Sequence, residues 1–239
     1  AALMFHSCGE EETILTKDLT LNLKVEYKGQ PLAGFQPFEY PNGYNMFLSK
    51  FSLFISNVEL IAENKTVRLA EIAFIDLLDG VVTDDEARLG KSIVIRDVPI
   101  DQYSSIHYSM GVPSDLNALT PADFENTSAL SNAGEYWVGW TSFIFHKTEG
   151  KMDIDGNGEF ETNIVIHIGS DDAYRESEYD VDVDLSVSDV IQLVIDINDI
   201  YESGNTYFDF IETPQIHHLS QLPQALPIMD ALSTRVKVK

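Results

Sequence analysis

The sequence predicts an all-β fold: a single antiparallel β-sandwich with long loops and at most short helical pieces. Three observations predict it. Apolar residues recur with period two, as in half-buried strands. About ten short strand patterns are separated by Gly, Pro, Asn and Asp turn signals. Almost no stretch carries the 3.6-residue period of a helix.

The first strand is Leu19, Leu21, Leu23, Val25 and Tyr27, alternating with Thr20, Asn22, Lys24 and Glu26. Lys28-Gly29-Gln30-Pro31 closes it as a turn. Residues 34–45 mix Gly and Pro with Phe35, Phe38, Tyr40 and Tyr44, which predicts a packed loop. Phe51, Leu53 and Ile55 alternate with polar partners, and Val58 and Leu60 resume out of phase. One extra residue near Ser56-Asn57 is what a β-bulge requires. Ile72–Leu78 reads as a central strand, Ile93–Val98 and Ile106–Met110 as two more. Residues 114–134 form a polar excursion with one helical turn at Pro121–Glu125. Trp137–Phe145 reads as one aromatic strand, paired through the Asp153–Gly158 turn with Phe160–Ile168. Asp180–Val187 and Val190–Ile197 follow. Over His217–Leu232, Pro223 and Pro227 predict a helix broken into short pieces. Arg235–Lys239 reads as a last edge strand.

Composition restricts the partners. The 239 residues carry 15 Lys plus Arg against 39 Asp plus Glu, a net charge of −24. A nucleic-acid binder must replace counterions with cationic side chains, so nucleic acid is excluded as a partner. Anionic lipid surfaces are disfavoured for the same reason. Cations are the natural partners of such a surface. No run of about 18 apolar residues exists to span a bilayer.

The single cysteine, Cys8, excludes an internal disulfide. An apolar stretch, Ser7, Cys8-Gly9 and then Glu10-Glu11-Glu12 resemble the end of a bacterial lipoprotein signal with its acidic tether. Residues 1–17 are therefore expected to be leader remnant and tether, and residues 18–239 one β-sandwich domain. The membrane is then reached only through lipid on Cys8. The expected location is outside the cytoplasm of a Gram-negative bacterium, as a periplasmic, outer-membrane or cell-surface lipoprotein.

Two constellations suggest metal chemistry. Asp153, Asp155, Asn157, Glu159 and Glu161 match the first half of a calcium loop, with oxygens at alternate positions around Gly156 and Gly158. Ile164 stands where an EF-hand needs its final Glu, so the alternatives are a non-EF calcium site or a plain hairpin turn. His167 lies in Ile164-Val165-Ile166-His167-Ile168, on the strand face opposite the isoleucines. His107 lies in another strand; His217 and His218 stand near the C-terminus. No HxH or HExxH spacing assembles a site by local sequence. No GxSxG or other nucleophile motif occurs, so a binding protein and not an enzyme is expected.

Several segments together resemble the MbnP-like proteins, relatives of the MopE/CorA copper-binding proteins. They are Lys50–Leu60, Ile72–Leu78, Ile106–Leu116 with Gly111-Val112-Pro113, and Tyr136–Gly150, which resembles that family's aromatic MxWxWxxGYxFxKxEG stretch. Val165–Ser170 is similar to its HxG strand, and Ile195-Asp196-Ile197-Asn198 to its VDLN. The resemblance implies an exported β-sandwich that binds copper through histidines beside a tryptophan, which some members oxidise to kynurenine. It also implies a dihaem peroxidase-like partner. Glu135 replaces the family's Met, Gly139 its second Trp, with Trp140 one place late. Ala118 and Ser56 stand where copper-binding members can carry His. His167 is the matching ligand; His107 and His217 or His218 are the substitutes, with Trp137 and Trp140 beside them. The alternative is a calcium-stabilised interaction module with no copper role.

Overall fold

The computed structural model describes residues 14–204 and 206–239. Cys8 and the Glu10–Glu12 run lie outside the described residues. Two sheets press one apolar core between them. The first sheet holds β1 (Thr16–Tyr27) at its centre, where Leu19, Leu21, Leu23 and Val25 are all buried as the alternation requires. The second is built on the 18-residue β2 (Asn45–Ala62), which pairs with β3 (Lys65–Asp76). A short helix α1 (Asp84–Leu89), capped by Thr83 and Glu86, leads to β4 (Lys91–Pro99) on one edge of β1. Then come β5 (Gln102–Met110), β6 (Ser142–Asp153), β7 (Thr162–Gly169), β8 (Arg175–Asp184) and β9 (Val190–Asp196). A turn of helix α2 (Ile197–Tyr201), a two-residue strand β10 (Gln215–Ile216), helix α3 (Leu222–Thr234) and β11 (Lys237–Val238) complete the chain.

The first sheet runs β11–β9–β1–β4 and the second β8–β5–β2–β6–β7–β10. β6 and β5 share one edge of β2, along Asn45–Leu53 and Ile55–Ala62 respectively, because β3 pairs with residues of both stretches. A bulge follows the handover. Asn57 has φ +49°, and the register with both β3 and β5 slips between residues 56 and 59. This is the bulge that the phase change in the sequence predicts.

Antiparallel pairing dominates, with two parallel additions. β9 runs parallel to β1, with Leu21 opposite Ile191 and Leu23 opposite Leu193. β10 runs parallel to β7, with Ile166 opposite Ile216. Two local expectations are corrected. Trp137–Phe145 is not one strand: Trp140 N and Thr141 N donate to Trp137 O and Val138 O, and Trp137 folds back opposite Ser142. At Gly139 the Trp137 indole lies close against the backbone, where a Cβ would stand 2.8 Å from Nε1. α3 is one 13-residue helix despite two prolines. Pro223 sits in the first turn, where no N–H is needed. Pro227 costs one bond with Pro223 O, but buried Ala225, Ile228, Met229, Ala231 and Leu232 hold the helix through packing.

Gly150, on β6 beside a register slip at Leu48–Lys50, has no room for a side chain, since a Cβ would collide with Phe47 O and Leu48 Cα. Backbone cannot swing aside as a flexible side chain does. Gly150→Ala is expected to cost about 3 kcal/mol, read as a lower urea midpoint with an unchanged slope.

Candidate functional site

The outer face of the second sheet carries a polar row. Asp76, Ser52, Lys147 and His167 lie directly opposite one another across β3, β2, β6 and β7. The next row is Lys50, Glu149, Val165 and Gln215. The excursion between β5 and β6 covers part of this face. It is pinned by Asn117, whose Oδ1 accepts from Phe143 N (2.9 Å) and Ser142 Oγ (3.0 Å) and whose amide donates to Asp171 (2.7 Å). Its end brings Glu135 onto Lys147 at 2.8 Å, with both side chains less than a tenth exposed. Lys147 Nζ also donates to Gly134 O at 2.7 Å. The Glu135 carboxylate is thus paired with a cation from within the sheet.

His167 Nε2 lies 2.7 Å from Glu149 Oε1. The hydrogen bond from His167 holds the Glu149 carboxyl below its ordinary range, against the opposing effect of burial. His217 follows Ile216 on β10, as His167 follows Ile166 on β7. All three neighbouring isoleucines, Ile166, Ile168 and Ile216, are buried. Strand alternation puts His167 on the outer face of β7, and His217 is the residue just past the end of β10. Trp137 meets His217 edge-on, with ring centroids 6.3 Å apart and planes at 78°. Trp137 is 43% exposed and Val138 beside it is 82% exposed, so the hairpin tip opens to solvent. The ring of His217 has no hydrogen-bond partner among the described residues.

The other expected ligands are placed elsewhere. His107 on β5 stands between Glu59 and Glu178, with Nδ1 3.8 Å from Glu59 Oε2. His218 is exposed, and its Nδ1 pairs with Ser220 Oγ at 3.0 Å in a capping role. Trp140 is buried against Gly169, where a Cβ would lie 3.4 Å from its ring. Of the histidines and tryptophans singled out in the sequence, Trp137 and His217 are in contact, and β10, which leads to His217, pairs with the strand that carries His167. Among the described residues no group of three or more His, Cys, Asp and Glu is arranged to hold a metal.

In the 153–161 loop the oxygens face the loop's own amides. Asp153 accepts from Gly156 N and Gly158 N (2.8 and 2.9 Å), and Asp155 from Asn157 N and Nδ2 (3.1 and 3.0 Å). Asn157 Oδ1 takes Glu159 N at 2.6 Å, and Glu159 and Glu161 are exposed. Gly156 and Gly158 have φ +71° and +87°, the left-handed turns that this wrapping needs. Excess calcium is expected to leave the melting midpoint where a chelator leaves it. A clear rise with calcium would restore the loop as a cation site.

One histidine that sequence reading passed over has the most perturbed environment. His146 is fully buried on the core side of β6, edge-on to Phe51 at 4.7 Å. Its Nδ1 donates to Ser52 O (3.0 Å), and its Nε2 accepts from Thr148 Oγ1 (2.9 Å), which in turn accepts from Tyr201 OH (2.7 Å). Burial pulls the imidazole down to about 3, so the ring is neutral. β6 is buried on both faces, so alternation alone does not tell which side a residue takes.

The arrangement defines a class: a two-sheet β-sandwich with one imidazole on its outer face and a second against an exposed indole. The sequence model of the MbnP family matches residues 16–218, and the chain belongs to that family. Its fold is similar to that of the solved structure "MbnP from Methylosinus trichosporium", with a TM-score of 0.56 and 12% identity over 82% of this chain and 80% of that one. No curated protein matches the chain.

Proposed function

We propose that this chain is an exported, lipid-anchored binding protein of the MbnP family that takes copper at His167 and His217 beside Trp137. One observation carries the reading: the Trp137–His217 contact falls one residue past β10, the strand that runs parallel to the one carrying His167. The donor set fits only part of what copper sites use. Two imidazoles suit a soft or borderline ion content with few nitrogen ligands, as copper(I) is. They do not fit a closed four-ligand zinc site or an oxygen cage. His167 and His217 would hold the ion, and copper would supply a centre that accepts imidazole nitrogen. Relative to the copper-binding pattern of the family, the ligand set is reduced, since Ser56 and Ala118 occupy positions of possible histidines. The anchor would be lipid on Cys8, and the location the periplasm or outer surface of a Gram-negative cell. A dihaem peroxidase-like protein is the partner that the family resemblance suggests. Binding, and not catalysis, is the proposed activity.

The test is copper titration of tag-free protein. Wild type is expected to take up one equivalent, and His217→Ala to bind at least tenfold more weakly. Mass spectrometry of the peptide containing Trp137 and Trp140 reports any oxidised indole. Protein that binds no copper and carries unmodified tryptophans would overturn the reading.

A further inference from the structure

One nitrogen of His167 is already committed. Its Nε2 lies 2.7 Å from Glu149 Oε1. An ionised carboxylate only accepts, so Nε2 is the donor in this bond, and Nδ1 is the nitrogen left to offer a lone pair. The strand register sets this partnership. Glu149 lies opposite Val165, one step diagonal from His167, while the residue directly opposite His167 is Lys147. Lys147 cannot compete for the glutamate, because it is held by Glu135 at 2.8 Å and Gly134 O at 2.7 Å. Lys50, opposite Glu149 on the other side, is itself paired with Asp76 at 3.0 Å. Glu149 is thus left to the imidazole, flanked by two cations that hold its charge without taking its bond.

We propose that Glu149 is the positioning residue for His167: it holds the imidazole in the Nε2–H form and presents Nδ1 as the metal-binding nitrogen. The proposal rests on the reading of His167 as a ligand. It predicts a property of the copper-free protein as well as of the loaded one, and this separates the two. Long-range proton–nitrogen correlation on histidine-labelled, metal-free protein reads the tautomer directly. Wild type is expected to show His167 protonated at Nε2. Glu149→Ala is expected to give mixed tautomers and to weaken copper binding tenfold or more. Glu149→Gln keeps an oxygen acceptor without the charge. It is expected to retain the tautomer and to bind copper within a few-fold of wild type. Glu149→Val gives the same readout as alanine if the alanine variant does not fold. An Nδ1–H ring in wild type, or an unchanged tautomer in the alanine or valine variant, would overturn the proposal. So would a changed tautomer with unchanged affinity, or a glutamine variant as impaired as alanine. Wild type with the expected tautomer but no copper uptake would remove the ligand reading, and with it the role of Nδ1, while leaving the Glu149–His167 bond intact.

Discussion

Lys147→Met is expected to destabilise the fold by about 3–5 kcal/mol, because it strands the Glu135 carboxylate beneath the excursion. Both side chains are more than nine-tenths buried and stand 2.8 Å apart. Methionine nearly matches lysine in length and keeps the strand packed, so the loss is electrostatic and not a cavity. The double variant Lys147→Met, Glu135→Leu is expected to recover most of the difference, since a buried ion pair replaced as a unit by apolar groups is close to neutral. Urea denaturation of wild type, both single variants and the double variant closes the cycle. A single-variant cost under about 1 kcal/mol would show that water reaches the glutamate. The pair also has a local purpose: it ties the segment before the Trp137 hairpin to the strand that carries Glu149.

Acid is expected to unfold the protein earlier than its carboxylates alone require, and His146 is the reason. Its folded value of about 3 lies below the ordinary 6.5. Between these two values the unfolded chain binds a proton that the folded chain refuses. Stability therefore rises with pH across this window and is lost as pH falls from about 6.5 toward 3. The full gap corresponds to about 4–5 kcal/mol at the acid end. Glu149 acts in the same direction, since its lowered value contributes stability that is lost as pH falls through it. In His146→Asn the amide can still donate to Ser52 O, but no imidazole titrates. Its stability-versus-pH curve is expected to be flatter than that of wild type between pH 6.5 and 4. Parallel curves would mean that His146 is protonated within the fold.

Much of the architecture was legible along the chain. The Leu19–Val25 alternation, the phase slip at Ser56-Asn57 and the hairpin around Asp153–Gly158 are local signals, and each appears where it was expected. The aromatic hairpin is not legible because Tyr136, Trp137 and Trp140 carry strand propensity, whereas the bend rests on the Trp140 N–Trp137 O and Thr141 N–Val138 O bonds and on Thr141 at φ +51°. α3 was misread because two prolines argue locally against a helix that packing against the core sustains. The candidate site was half legible. His167 stood out through its neighbours in sequence. The choice of His217 over His107 and His218 required knowing that Gln215–Ile216 returns beside Val165–Ile166, a pairing between segments 50 residues apart.

Residue order alone therefore specified a sandwich of strands, its bulge, its turns and its acidic surface, since period-two burial and turn chemistry act over a few residues. Strand partners are chosen by closing long loops against a shared core, which no local pattern encodes. That choice sent His146 inward to a dry hydrogen-bonded chain, set Glu149 on His167, and brought Trp137 to His217.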